Sequence, residues 1–395
     1  MATNSNLGQK RPVGIDAPGH PAAKNSFRHW LGRKIFNIFR TTPLAHVMLA
    51  LAGVIALSPA FEAYACTRVV FHGDKGNCFT GRTLDWRTPI PTNLYVMPRG
   101  ISRVSYDEED AIDWTSRYAS VVAVGYDLGA TEGMNEEGLV VNCLYLPGTK
   151  YTFDGDTRKK MSSSVWVLYV LDNFSTVSDA VAHLSRDIFH IDAPAMPDGS
   201  STTVHMAISD KTGDNAIIEY LDGKISIHQG HQYKVLTNAP PFDQQIAIAK
   251  YWESVGGLNF LPGTNRSQDR FARAWFYVNA VPTDADHDLA LAAVMGILNN
   301  CSVPVGISLP DNPEISTTQW RSISDQKNKV YYYMTTLNPS IIWLDLNDFD
   351  LNPGAPIMKL DMMDGKHSVI GNAVKAMKPS KGFTPMYRVP ADLKL

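Results

Sequence analysis

Cys66 follows Ala63-Tyr64-Ala65, and the small residues at 63 and 65 form the A-x-A pattern at which export signals are cut. Cutting after Ala65 would give one residue both a free thiol and a free α-amine. A thiolate attacks carbonyl carbon well, but an ordinary cysteine, with a pKa of about 8.5, is mostly protonated at neutral pH. An α-amine titrates at about 8, so it can take the thiol proton and later return it to a leaving amine. Such a residue then needs positioning, a nearby cation and hydrogen-bond donors for an oxyanion.

Candidates for the cation and for a group to hold the amine follow closely in Gly81–Trp86, which reads GRTLDW. A hairpin between this segment and the residues after Cys66 brings Arg82 beside the thiol, where a guanidinium favours thiolate. The Asp85 carboxylate can hold the amine by hydrogen bond. From spacing alone, Arg-x-x-Asp is read equally well as a surface ion pair. The other nucleophiles and metal ligands form no pattern. His72, His183, His190, His205, His228, His231, His287 and His367 show neither HxH nor HExxH spacing, which argues against zinc and leaves no cofactor implied. Cys78, Cys143 and Cys301 include no CxxC; Cys78 and Cys143 read as buried apolar residues, and a disulfide among the three stays open. The acidic run 107–110 reads as a solvated loop.

Upstream of Cys66, residues 1–40 are polar and basic, and Leu44–Leu57 is a 14-residue apolar run followed by Ser58-Pro59. That length suits the hydrophobic region of a secretory signal and is short for a membrane span. Residues 1–65 are therefore expected to be a removed signal with a long basic start, and residues 66–395 a single domain. Two other readings are a retained helix and a lipoprotein signal, which also requires a cysteine after the cut but usually has Leu where Ala63 stands. Lipid on Cys66 would block its amine. The whole chain has 36 basic and 39 acidic residues; removing the first 65 leaves 29 and 37, a net charge of −8. This disfavours nucleic acid and anionic membrane as partners, with no membrane span after processing.

The elements that must position these residues alternate between two periods. Apolar patterning predicts strands over Thr67–Phe71, Thr80–Leu84, Ser120–Tyr126 and Leu139–Leu144. Helical spacing runs from Ser163 to Leu184, with a break between Asn173 and Thr176. A meander follows over Thr203–Ile208, Ala216–Tyr220 and Lys224–His228, then helices at Phe242–Trp252, Asp269–Val278 and Asp286–Leu298. Strands return at Lys329–Thr335 and Ile341–Leu344, and the last 40 residues show no strong period. Sheets stacked between helix layers fit this order.

In sequence, Cys66-Thr67-Arg68, GRTLDW, GMNEEGL (Gly133–Leu139), LYLPG (Leu144–Gly148), VLTNAPPFD (Val235–Asp243), LPG followed by SQDRFARA (Leu261–Ala274) and VYYYMTT (Val330–Thr336) resemble the choloylglycine hydrolase family. This family of bile salt hydrolases and penicillin V acylases falls within the N-terminal nucleophile hydrolases. The resemblance implies an α+β fold, a four-layer αββα sandwich of two stacked, mainly antiparallel sheets between helices. It implies Cys66 as nucleophile with its own amine as base, Arg82 against the thiol and Asp85 orienting the amine. It further implies Asn238 and the Tyr145 backbone N–H as oxyanion donors, and Arg270 in the surrounding polar network.

Tyr145 and Trp86 resemble the Gram-negative branch, whose members cleave penicillin V and long-chain acyl-homoserine lactones and act variably on bile salts. Trp86 and Tyr145 would wall an acyl pocket, with Met134 and Leu146 as neighbours. The expected protein is an exported, periplasmic hydrolase of linear amides carrying an apolar acyl or steroid group. A homo-oligomer, a tetramer by the resemblance, stays open, although the interval from Asn238 to Arg270 is shorter than in the Gram-positive tetramers. The rival reading is a non-catalytic envelope lipoprotein that binds amphipathic ligands.

Overall fold

A computed structural model describes residues 66–109, 111–308, 315–338, 340–362 and 369–387. The expected leader, residues 1–65, lies outside them. Two large sheets carry the described residues. The first has seven strands in the order Val235–Leu236, Thr67–His72, Cys78–Trp86, Thr317–Asp325, Val330–Thr335, Ile342–Asp345 and Gly371–Asn372. The second has nine, in the order Lys224–Gln229, Asn215–Leu221, Val204–Ser209, Val140–Tyr145, Gly129–Asn135, Ser120–Gly125, Thr92–Met97, Ile357–Leu360 and Lys378–Ser380. All pairings within these sheets are antiparallel except the last of the first sheet.

Among the described residues five α-helices cover the outer faces. α1 (Ser163–Asn173) and α2 (Val177–Leu184) lie on the nine-stranded sheet. α3 (Phe242–Val255), α4 (Ser267–Ala280) and α5 (His287–Cys301) form the other layer, with α4 and α5 directly on the strands that flank Cys66. The architecture is the four-layer αββα sandwich that the resemblance implied.

The break expected between Asn173 and Thr176 has a capping cause. Thr176 leaves the helical region and its side chain accepts from Asp179 N–H, starting α2 afresh. At the other end of the pair, Ser162 caps α1 by accepting from Ser164 N–H. The Cys78–Trp86 strand is buried at all nine positions, because one face meets the other sheet and the other face meets helices. Gly81 is required there: a Cβ would lie 2.8 Å from Val294 Cγ1 and 2.9 Å from Leu298 Cδ1, so only glycine lets α5 press onto the strand.

The longest strands that escaped the sequence reading are Thr92–Met97, Gly129–Asn135 and Thr317–Asp325. The last, TTQWRSISD, is polar yet central in its sheet, and its side chains find partners inside. Ser322 Oγ, for example, donates to Glu132.

Candidate active site

The first hairpin sets the centre. Thr67 faces Thr83 and Arg68 faces Arg82 across it, so Cys66 meets the far end of the GRTLDW segment. On the strand's other edge Arg68 faces Leu236. Continuing that register by two residues brings Asn238 opposite Cys66, although 172 positions separate them in sequence.

The thiol lies in a cage of strand-borne groups. Arg82 Nη2 donates to Cys66 Sγ at 3.7 Å, and Sγ lies 3.8 Å from the Asp85 carbonyl oxygen. Arg82 is buried and held from three sides. Its Nη1 reaches Glu132 Oε2 and the Thr131 carbonyl, each at 3.2 Å, and its guanidinium sits 5.2 Å from the centre of the Trp320 ring. Burial opposes its charge, but Cys66 and Glu132 beside it hold its pKa above the usual arginine value.

Glu132 in turn accepts from Asn142, Ser322 and Tyr331. The sequence reading missed this carboxylate. Its strand carries an irregularity: Ala123 pairs with Glu132 but Val124 with Ala130, so Thr131 is an extra residue. That bulge turns the Thr131 carbonyl toward Arg82, a re-aiming that bulges commonly perform beside active sites.

Alternation sends Asp85 to the opposite side of the strand from Arg82. Burial pushes its carboxyl up to about 6, against the pull of Arg270 and hydrogen bonds from Thr318 and Thr83. Its Oδ2 accepts from Thr83 Oγ1 at 3.2 Å, while its buried Oδ1 has no partner. The Cys66 N–H donates to Asn238 Oδ1, at 2.6 Å, and not to Asp85. A peptide N–H has one proton to donate, whereas an ammonium at the same position has three.

Asn238 is fixed on every side. Its Oδ1 also accepts from Arg270 Nη2 at 3.0 Å, and its Nδ2 donates to the Tyr145 carbonyl at 2.7 Å. These partners assign the amide orientation, since a donor faces Oδ1 and an acceptor faces Nδ2. Its backbone N–H goes to Ser267 Oγ and its carbonyl accepts from Gln245 Nε2. Arg270, in the first turn of α4, reaches across to the Cys66 carbonyl and to Thr67 Oγ1, both at 2.6 Å. Burial lowers its pKa from the usual arginine value.

From Cys66 a cavity opens between apolar walls. Trp86 and Tyr145 stand edge to face across 5.2 Å, with Leu84, Ile90, Tyr126, Leu128, Val204 and Met386 contributing further surface. Met196, Pro197, Ser201 and Thr202 of the loop 193–203 complete the lining. That loop is clasped by Asp198. Its Oδ2 accepts from Trp86 Nε1 at 3.0 Å and from Thr88 Oγ1 at 2.7 Å, and its Oδ1 accepts from Ser200 N–H at 2.9 Å. Burial works against the charge, but hydrogen bonds from Ser200, Trp86 and Thr88 outweigh it and take the carboxyl down to about 2. In sequence, Pro197-Asp198-Gly199 signals only a turn.

Cys66, Arg82, Asp85, Trp86 and Tyr145 thus line one cavity, and Asn238 and Arg270 hold Cys66 from beside it. Met134 and Leu146 do not belong to the cavity. Met134 is wholly buried in the cluster between the sheets, with Val121, Val140 and Trp320, and Leu146 is buried without lining the pocket. Cys78, Cys143 and Cys301 are unpaired, and burial raises their thiols to about 12, 12 and 11. Among the described residues no group of three or more His, Cys, Asp or Glu could hold a metal ion.

The model of the linear amide C-N hydrolases of the choloylglycine hydrolase family matches residues 66–364. The penicillin V acylase of Pectobacterium atrosepticum is 38% identical over 365 residues, covering 86% of this chain and 95% of that protein. The bile salt hydrolase/transferase of Clostridium perfringens is 26% identical over 316 residues, covering 73% and 94%. Among solved structures, the penicillin V acylase from Agrobacterium tumefaciens superposes with a TM-score of 0.75 at 41% identity, covering 81% of this chain and 99% of that one.

Proposed function

The chain belongs to the choloylglycine hydrolase family of linear amide C-N hydrolases, and from that premise we propose that it is an acylase using Cys66, freed at its N-terminus, as nucleophile. The observation that carries this reading is the placement of the Cys66 thiol. It lies at the base of an apolar cavity, with Arg82 at 3.7 Å from sulfur and the Asn238 side chain at the Cys66 nitrogen. The family match also begins at Cys66.

The steps follow from these groups. Once residues 1–65 are removed, the Cys66 amine takes the thiol proton and Sγ attacks the amide carbonyl. Arg82 stabilises the thiolate. The carbonyl oxygen becomes an oxyanion, met by the second N–H of Asn238 Nδ2 and the Tyr145 N–H. The C–N bond breaks, the leaving nitrogen takes the proton from the Cys66 ammonium, and a thioester remains on sulfur. Water, deprotonated by the same amine, then attacks the thioester, releasing a carboxylic acid and restoring the thiol. Asp85 suits the ammonium: its unpartnered, buried Oδ1 has a vacant acceptor site that an added N–H⁺ would fill.

The acyl side of the substrate is apolar and flat or extended, matching Trp86, Tyr145 and the aliphatic walls. We favour aryl-acetyl and fatty-acyl amides over conjugated steroids, because the relatives with the higher identities are penicillin V acylases. Export to the periplasm, from the A-x-A pattern before Cys66, completes the proposal. The test is a parallel assay of processed protein on penicillin V, a long-chain acyl-homoserine lactone and a glycine-conjugated bile acid. Hydrolysis of one of the first two, abolished by Cys66→Ala, is expected. Turnover by the Cys66→Ala protein, or none on any substrate by the wild type, would overturn it.

A further inference from the structure

One wall of the cavity comes from outside the family match. Met386 lies beyond residue 364, where that match ends, yet it lines the same cavity as Cys66. The segment that carries it straps across the helix-covered side of the nine-stranded sheet. Phe383 packs edge to face on Tyr95 at 5.8 Å, and Tyr387 meets Tyr106 at 5.8 Å and donates its hydroxyl to the Val104 carbonyl.

Met386 itself is held at both backbone groups. Its N–H donates to the Leu128 carbonyl at 3.0 Å, and its carbonyl accepts from Ser162 Oγ at 2.6 Å and Ser164 Oγ at 2.9 Å. The strap is therefore pinned to the N-cap of α1 and to the turn before the Gly129–Asn135 strand. These two anchors are themselves close: a Cβ on Gly129 would lie 3.2 Å from Ser164 Cβ.

Its position along the cavity follows from the layers. Leu84 belongs to the cluster between the sheets, whereas Ala130 and Cys143 belong to the cluster beneath α1. The bulge at Thr131 gives Ala130 that outward face. The cavity thus runs from Cys66, between the sheets, to the outer side of the nine-stranded sheet. Met386, Leu128, Ser163 and Ser164 line it at that outer side, beside the start of α1.

We infer that Met386, fixed by its strap, is the stop of the acyl pocket and determines how long an acyl group the enzyme accepts. This rests on the acylase reading. Methionine is unbranched and has three rotatable bonds, so it limits depth by volume while tolerating ends of different shape.

The test is hydrolysis of a homologous series of N-acyl amides, from four to about fourteen acyl carbons, by processed wild type and by Met386→Ala, Met386→Phe and Met386→Trp. Each extra buried methylene contributes about fourfold in binding. The ratio of kcat/KM for the longest to the shortest hydrolysed acyl group should rise at least about fivefold in Met386→Ala. It should fall at least about tenfold in Met386→Trp, with Met386→Phe between wild type and Trp. The graded order across three side-chain sizes guards against one variant failing to fold. Hydrolysis that persists with an unchanged ratio, or changes equally at all lengths, would overturn the stop and leave the acylase standing. Failure of wild type on the whole series would overturn both.

Discussion

The two ends of the cavity are built from different material. At the sulfur end the groups stand on regular structure: Arg82 and Asp85 on one strand, Glu132 on another, Arg270 in the first turn of α4, and Asn238 two residues beyond a strand. All five are buried, and hydrogen bonds join Arg82 to Glu132 and Arg270 to both Asn238 and Cys66. At the acyl end, beyond Trp86 and Tyr145, which stand on strands, much of the wall is connections: the turn 126–129, the loop 193–203 and the strap around Met386. Reacting atoms tolerate misplacement of only about 0.5 Å, which strands locked by packing can guarantee. Acyl shape can change through loops without moving the thiol. Substitutions at the first end should therefore lower kcat for every substrate, and those at the second should redistribute activity among substrates.

The largest effect that would break this contrast is at Asn238. Asn238→Ala removes the proposed oxyanion donor and should lower kcat by about 10² to 10³ on all acyl groups, with KM moving much less. Steady-state kinetics on a short and a long acyl amide check it, and a loss confined to one acyl length would place Asn238 in the wrong region.

Asp85, at the sulfur end, also affects stability. An acid whose pKa is raised on folding costs nothing below its unfolded value near 3.9, and the cost grows as pH rises through about 6. With Asp85 at about 6 in the uncut chain, ionising it costs about 3 kcal/mol at pH 7. Asp85→Asn in that chain should then raise the melting temperature at pH 7 but not at pH 4, while processed Asp85→Asn enzyme loses activity on all substrates. Thermal melts at the two pH values measure this. Equal shifts at both would remove the electrostatic explanation.

At the other end, Asp198→Ala frees the loop 193–203 from Trp86 and Thr88. KM for aryl-acyl amides should rise about tenfold, the loss of one or two hydrogen bonds to a charged group, and Asp198→Asn should recover part of it. Because the Asp198 carboxyl is held down at about 2, the clasp contributes stability above pH 4 and loses it only as pH falls through 2. An acid limb in kcat/KM between pH 5 and 8 should therefore persist in Asp198→Asn. Its disappearance would assign that limb to the loop.

This division also governs what could be read from sequence. Arg82 beside Cys66 followed from a short hairpin whose alternation is visible locally. Asn238 and Arg270 lie 172 and 204 residues from Cys66, so only the ordered motifs of a family brought them in. The acyl end escaped both routes. Met134 and Leu146 were expected there, but Met134 faces the other sheet and packs in the core. Met386, Asp198 and the Thr131 bulge depend on where distant connections cross the sheet, which no local period encodes. The Thr317–Asp325 strand was hidden for a related reason, since its polar side chains are satisfied by partners in distant segments.

The central claim is that Cys66 acts with both its thiol and its amine free. Intact-mass and peptide mass spectrometry of active protein, acid-quenched during turnover of a slow amide, tests it most directly. The expected result is a chain beginning at Cys66, with the substrate's acyl group as a hydroxylamine-labile adduct on that residue. An active enzyme whose Cys66 nitrogen is still in a peptide bond, or carries lipid, would contradict it.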